Sequence, residues 1–201
     1  MKKVTTKDWY EINGKQLPIN TVDYSGCYIE ILDKIHGQMM AMLSYHGKVL
    51  AVRVNIHLNA YPAVTNKEMS TIMKRFSRRL LESKEFKSYE FKRLSYVWVR
   101  EVSKDKGVHY HAVIFLNGNK IKSSLRINEA LGVIIDGMGK GIVLSVPPRK
   151  RHFVMLKRDN DSGIKSAFLW FSYMAKESTK GNRPTKTNDF SGTNLREKIA
   201  A

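Results

Sequence analysis

The apolar positions change period along the chain, and each change marks an element. From Ile29 to Leu43 they fall at Ile29, Leu32, Ile35, Met39, Met40 and Leu43, the three-and-four spacing of an amphipathic helix, with Gly47 suited to its end. Lys48 to Leu58 then alternates: Val52, Val54, Ile56 and Leu58 share one face, and Arg53, Asn55 and His57 share the other. That pattern predicts a strand with one buried face. A second helix is expected over Asn66 to Ser83, with Met69, Ile72, Met73, Phe76, Leu80 and Leu81 inward and Lys74, Arg75, Arg78 and Arg79 outward. Thr65 or Asn66 suits its cap. Leu94 to Val102 and Val108 to Leu116 read as strands, joined by the polar turn Ser103 to Gly107, which is short enough to force an antiparallel hairpin. A third helix runs from Leu125 to about Met138. Strands follow at Ile142 to Val146 and His152 to Leu156, separated by Pro147-Pro148 and the basic run Arg149-Lys150-Arg151. A last helix is expected from Ile164 to about Glu177.

Strands that alternate with helices in this order predict an α+β fold. The expected form is a ferredoxin-like (RRM-like) antiparallel sheet with helices packed mainly on one face. Residues 1–24 are polar and mixed, with Gly14 and Pro18 as breakers, and read as an N-terminal arm. Residues 25–180 form the domain. Residues 181–201 read as a polar, mobile tail with a short helix at most over Asn194 to Ala200. A chain of 201 residues suits one such domain.

Charge narrows the partner. The sequence carries 35 Lys+Arg against 18 Asp+Glu, a formal net charge of +17. A surplus of this size points to a polyanion, and nucleic acid is the usual one; a ribosomal-type basic protein and a membrane-surface role are the alternatives. The single cysteine, Cys27, allows no intramolecular disulfide and no cysteine-based zinc site. That fits a reducing cytoplasm. The first residues lack the apolar run of a signal peptide, and no apolar stretch is long enough for a membrane span.

Candidate chemistry begins with His109 and His111. Two apart on a strand, they point to one face, and paired imidazoles make a poor core and a good divalent-metal site. Glu101, on the preceding strand, is brought close to His109 by the hairpin. It completes three ligands with open positions remaining, as in catalytic metal sites. His57 competes for the third place. Tyr173 and Lys176 are three apart on the last helix and share a face, although a tyrosine in an aromatic-rich helix, taken alone, reads as core.

Together these parts, in this order, resemble the HUH endonucleases with a single catalytic tyrosine, and most of all the replication initiators of filamentous phages and related prophage elements. The resemblance spans roughly residues 48–180. It rests on Val52-Arg53-Val54-Asn55-Ile56-His57-Leu58-Asn59, on Trp98-Val99-Arg100-Glu101, on the strand around His109 and His111, and on Tyr173-Met174-Ala175-Lys176. The first of these departs from the short Thr-rich form common in such initiators. The resemblance implies Mg²⁺ or Mn²⁺ on His109, His111 and Glu101, with Tyr173 as nucleophile and Lys176 assisting. It implies nicking of single-stranded or hairpin origin DNA through a 5′-phosphotyrosine in the cytoplasm of a bacterial host, with host helicase and polymerase as further partners. Arg53, Asn55, His57, Arg149, Lys150 and Arg151 are the expected DNA contacts, and Tyr61, Trp98 or Tyr110 the expected base stackers. A transposase or relaxase would use similar parts. A non-catalytic nucleic-acid-binding module would instead bury Tyr173.

Overall fold

The strand Lys48–Leu58 is buried on both faces along its first half, and the layering of the molecule follows from that. The computed structural model describes residues 3–21, 25–58, 64–103, 107–139, 141–145, 152–178, 180 and 187–199. In chain order the elements are β1 (Val4–Thr5), β2 (Trp9–Ile12), β3 (Lys15–Pro18), β4 (Cys27–Tyr28), α1 (Ile29–Tyr45), β5 (Lys48–Leu58), α2 (Asn66–Glu82), β6 (Ser95–Ser103), β7 (Gly107–Asn117), α3 (Leu125–Asp136), β8 (Ile142–Ser145), β9 (Phe153–Lys157), α4 (Asp161–Ser172) and β10 (Phe190–Gly192). The fold is α+β.

The main sheet is antiparallel, in the order β10-β6-β7-β5-β8, and β9 also pairs with β5. β8 takes the end of β5 and β9 its beginning, so the two share one side of that strand. Within the sheet the run β5–α2–β6–β7–α3–β8 sets its strands side by side as β6-β7-β5-β8.

Helices cover both faces of this sheet, not mainly one as the alternation suggested. Leu50, Val52, Val54 and Ile56 pack with Met69, Ile72, Met73 and Phe76 of α2 and with Ile127, Leu131 and Ile135 of α3. Val49 and Ala51 point the other way. There they meet Val97, Val99, Val113 and Phe115 under Ile31, Leu32 and Ile35 of α1 and Phe168 and Phe171 of α4. The second face is apolar because β5 carries an unbroken apolar run from Val49 to Val52, which a one-faced strand does not need.

The N-terminal stretch expected as an arm is structured. β2 and β3 form a hairpin whose turn is Asn13-Gly14, both at positive φ (51° and 72°), as a two-residue type I′ turn requires. β1 pairs with β4. That pairing brings the chain so near Gly26 that a Cβ there would lie 2.2 Å from Val4 Cγ1. The C-terminal stretch is also anchored: β10 pairs with Val97 to Val99 of β6, and Gln38 holds Leu195 through both of its amide atoms. Residues 193–199 form no helix. Among the described residues, no helix is long and apolar enough to cross a membrane.

α2 starts at a capping box in which Thr65 and Glu68 satisfy each other's backbone N–H groups. Thr65→Ala is expected to cost about 1 kcal/mol. That corresponds to a fall in Tm of roughly 2–4 °C for a chain of this size, read by thermal denaturation.

Candidate active site

One sheet face turns from apolar to polar partway along, and the site lies at the change. On the α1/α4 side β5 runs Val49, Ala51, then Arg53, Asn55, His57. β6 runs Val97, Val99, then Glu101, and β7 runs Phe115, Val113, then His111, His109. α1 and α4 cover the apolar half. The polar half meets the chain as it leaves α4, at Tyr173.

The ladder fixes the neighbours. Glu101 stands opposite His109 across β6 and β7, as expected from the short hairpin. Across β7 and β5, His109 stands opposite His57, and His111 opposite Asn55. Glu101 Oε2 is 3.2 Å from His111 Nε2 and 3.5 Å from His109 Nε2. Among the described residues, Glu101, His109 and His111 form the group whose potential metal-ligand atoms converge, all within 4.8 Å. His57 stands beside it but outside it.

The outer ring nitrogens decide which atoms face inward. His109 Nδ1 lies 3.2 Å from the carbonyl oxygen of Gly107, which can only accept, so Nδ1 carries the hydrogen of the neutral ring. His111 Nδ1 is in the same position against Asn55 Oδ1, at 2.5 Å. Both Nε2 lone pairs then face one carboxylate oxygen. That arrangement is repulsive unless a cation, a proton or a metal ion, lies between them. Two imidazoles oriented from behind and a carboxylate fit a divalent metal and leave coordination positions open.

Electrostatics favour the ligand form of Glu101 and His111. Burial raises the Glu101 pKa. With a proton between them, hydrogen bonds from His109 and His111, together with the charge of Lys180, outweigh it and hold the carboxyl well below its usual range. For His111 burial pushes the pKa down; Glu101 pulls it up, and the charges of Arg53 and His109 press it down further.

Lys180 joins the site without a sign in the local sequence. Its ammonium is fully buried, 3.0 Å from Glu101 Oε1, and donates to the Lys176 carbonyl at 2.8 Å. It occupies one carboxylate oxygen and leaves the other to the histidines. Nothing in the residue pattern separates it from the other lysines near the C-terminus.

Tyr173 and Lys176 do not share a helical face. α4 ends at Ser172; Tyr173–Ala175 make a 3₁₀ turn, and Lys176 is extended in a bridge with Cys27. The N-terminal segment captures the chain here: Asn20 N–H donates to Ser172 Oγ at 2.8 Å, and Glu177 N–H to the Gly26 carbonyl at 2.8 Å. The two residues still meet, with Lys176 Nζ 5.7 Å from the Tyr173 ring centre. The Tyr173 ring is 6.3 Å from that of His111, edge on. At 37% exposure it is an accessible phenol at a buried polar cluster, not a core aromatic.

The expected DNA contacts divide. Arg53 reaches the site and lies over Tyr173. Asn55 is committed to His111 instead. Arg149, Lys150, Arg151 and Tyr61 lie outside the described residues. Trp98 and Tyr110 do not stack bases: both are buried on the opposite sheet face, where Tyr110 Oη donates to Asn66 Oδ1 at 2.7 Å beside the start of α2. The two-residue period that places His109 and His111 at the site turns Tyr110 away from it.

An α+β protein with a Glu-His-His cluster beside an accessible tyrosine is the class that fold and site define. Residues 12–190 match the family model described as YagK/YfjJ C-terminal domain, and the chain belongs to that family. It is similar to a protein named uncharacterized protein YfjJ from Escherichia coli (strain K12), 31% identical over 103 residues, covering 43% of this chain and 49% of the relative. The chain thus spans about half the length of the curated relative it matches. No solved structure matches it.

Proposed function

We propose that this protein is a metal-dependent endonuclease of the HUH type that nicks and rejoins single-stranded DNA through Tyr173. In this reading it initiates rolling-circle replication of a phage or mobile element in the bacterial cytoplasm. The observation that carries the reading is the convergence of two oriented imidazoles and one carboxylate beside an exposed phenol. The strand order β6-β7-β5-β8 supports the ferredoxin-like part of it. The exposure of Tyr173 speaks against a purely binding module, and the net charge of +17 suits origin DNA as partner.

Glu101, His109 and His111 would hold Mg²⁺ or Mn²⁺, which supplies Lewis acidity toward the scissile phosphate. Tyr173 Oη attacks phosphorus. A Tyr–O–P bond forms as the P–O3′ bond breaks, and the leaving O3′ takes the electron pair and a proton to become a free 3′-hydroxyl. The phenol proton passes to solvent. An ordinary phenol is a weak nucleophile, and the Lys176 ammonium lies beside the ring, where it can meet the scissile phosphate. A 3′-hydroxyl attacking the phosphotyrosine reverses the step and rejoins the strand without ATP.

The test is cleavage of a randomised single-stranded oligonucleotide pool with Mn²⁺ or with EDTA. Cuts that need the metal are expected, and equal cutting under both conditions contradicts the reading. Asn55 tests the support behind the ligands. Asn55→Ala is expected to weaken Mn²⁺ binding about 10- to 100-fold in a direct titration, and unchanged affinity removes Asn55 from the account.

A further inference from the structure

We propose that Arg53 is the binding seat of the scissile phosphate, its guanidinium gripping the non-bridging oxygens beside Tyr173. The anion-binding part stands on geometry alone; naming the anion as a DNA phosphodiester rests on the nicking function above.

Arg53 is 8% exposed, and its Nε is buried without a hydrogen-bond partner. Among the described residues the guanidinium makes no salt bridge. Burial works against its charge while the Glu101 charge acts on it from a distance, and a buried charge with no contacting counter-ion is costly and is rarely retained without a role. What holds Arg53 is aromatic: its Cζ lies 5.0 Å from the Tyr173 ring centre and 5.7 Å from that of Trp170. A cation over ring faces spends its charge on the π cloud and leaves its N–H donors for another acceptor. Arg53 therefore has a fixed position, a positive charge and a buried Nε–H that no group among the described residues accepts, a combination suited to an anion.

The surroundings say which kind. Arg53 is two residues from Asn55 on the same strand face, next to the column that carries His111. Tyr173 joins the two sides, with its ring edge on to His111 and under Arg53. An anion seated on Arg53 would thus lie within reach of both the phenol and the Glu-His-His cluster. A tetrahedral phosphate offers two oxygens to a guanidinium fork. As Tyr173 Oη adds and the O3′ bond breaks, negative charge grows on those same oxygens, where a preplaced cation is most effective. Lysine carries the charge but not the fork.

The alternative is that Arg53 only pins the Tyr173 ring. The full chain, kept in EDTA, is titrated with inorganic phosphate while the Arg53 Nε–H resonance is followed by NMR. The wild type and Tyr173→Phe are expected to show a saturable shift. Phosphate affinity in Arg53→Gln, measured calorimetrically, is expected to fall at least about tenfold, given the usual strength of charge-assisted hydrogen bonds. No saturable shift in the wild type, or wild-type phosphate affinity in Arg53→Gln, overturns the proposal. Arg53→Lys is the second variant and guards against misfolding. It is expected to bind Mn²⁺ and single-stranded DNA within about twofold of wild type, yet cleave about 10²- to 10³-fold more slowly, the loss typical when one transition-state donor is removed. Cleavage by Arg53→Lys at the wild-type rate overturns the catalytic role. Should the wild type cut no DNA at all, the nicking function fails by itself, and the phosphate titration still decides the anion seat.

Discussion

Tyr173→Phe is expected to fold, bind metal and bind single-stranded DNA, yet form no covalent adduct and lose cleavage by about 10⁴-fold or more, the scale on which enzymes lose rate when their nucleophile is removed. The variant is clean because of where the ring sits. Tyr173 is 37% exposed, and its described side-chain contacts are ring contacts with His111, Arg53 and Lys176. Phenylalanine keeps the ring; only the hydroxyl is lost. A surface change of this kind moves stability by no more than about 0.5 kcal/mol. Denaturing gels read the adduct and melting curves read the fold. A Tyr173→Phe protein that still carries covalent DNA assigns the nucleophile elsewhere.

The second large effect is at His109. His109→Ala is expected to lower Mn²⁺ affinity by more than about 10²-fold, beyond the loss seen when only an outer partner of a ligand is removed, and to abolish metal-stimulated cutting. Single-stranded DNA binding should persist, since in the proposed function it draws on the basic surface of the protein. His109 is a better probe than Glu101, because its outer nitrogen bonds a backbone carbonyl, Gly107 O, and its loss strands no charge. Removing the Glu101 carboxylate would also leave the fully buried Lys180 ammonium unpaired, at a cost of about 3–5 kcal/mol in stability, so lost activity there would be ambiguous. Metal titration of His109→Ala decides the matter; wild-type affinity means that the cluster is not the metal site.

Much of this site was legible in the sequence, because strand geometry is strict. The two-residue period puts His109 and His111 on one face, and a short turn leaves little freedom in which residue of β6 faces His109. Glu101 followed from those constraints, and the converging atoms favour it over His57. Tyr173 was legible only through its company. The shared helical face that would pair it with Lys176 fails at Ser172, where Asn20 and Gly26 draw the chain out of the helix. Those contacts come from residues some 150 positions away in the chain, and local spacing cannot report them.

The same distinction explains the fold. The boundaries of α1, α2 and α3 follow their apolar spacing closely. The second helical layer was hidden because Val49 and Ala51 sit within an apolar run that also satisfies a one-faced strand. Asn13-Gly14 is a hairpin signal in its own right, obscured by the short, polar strands that flank it. β10 has three residues and no apolar pattern; its place comes from the open edge of β6, which is a tertiary fact. Lys180 belongs with it, a lysine in a polar stretch given its role by a carboxylate on a distant strand.

The most direct test of the central claim is to find the DNA on the protein. The full chain is incubated with a randomised single-stranded oligonucleotide pool and Mn²⁺, then digested, and nucleotide-bearing peptides are mapped by mass spectrometry. A phosphodiester-linked nucleotide on Tyr173 and a 3′-hydroxyl on the released strand are expected, with loss of both in EDTA. DNA that is cut without becoming attached, DNA attached to another residue, or DNA left intact would contradict the claim.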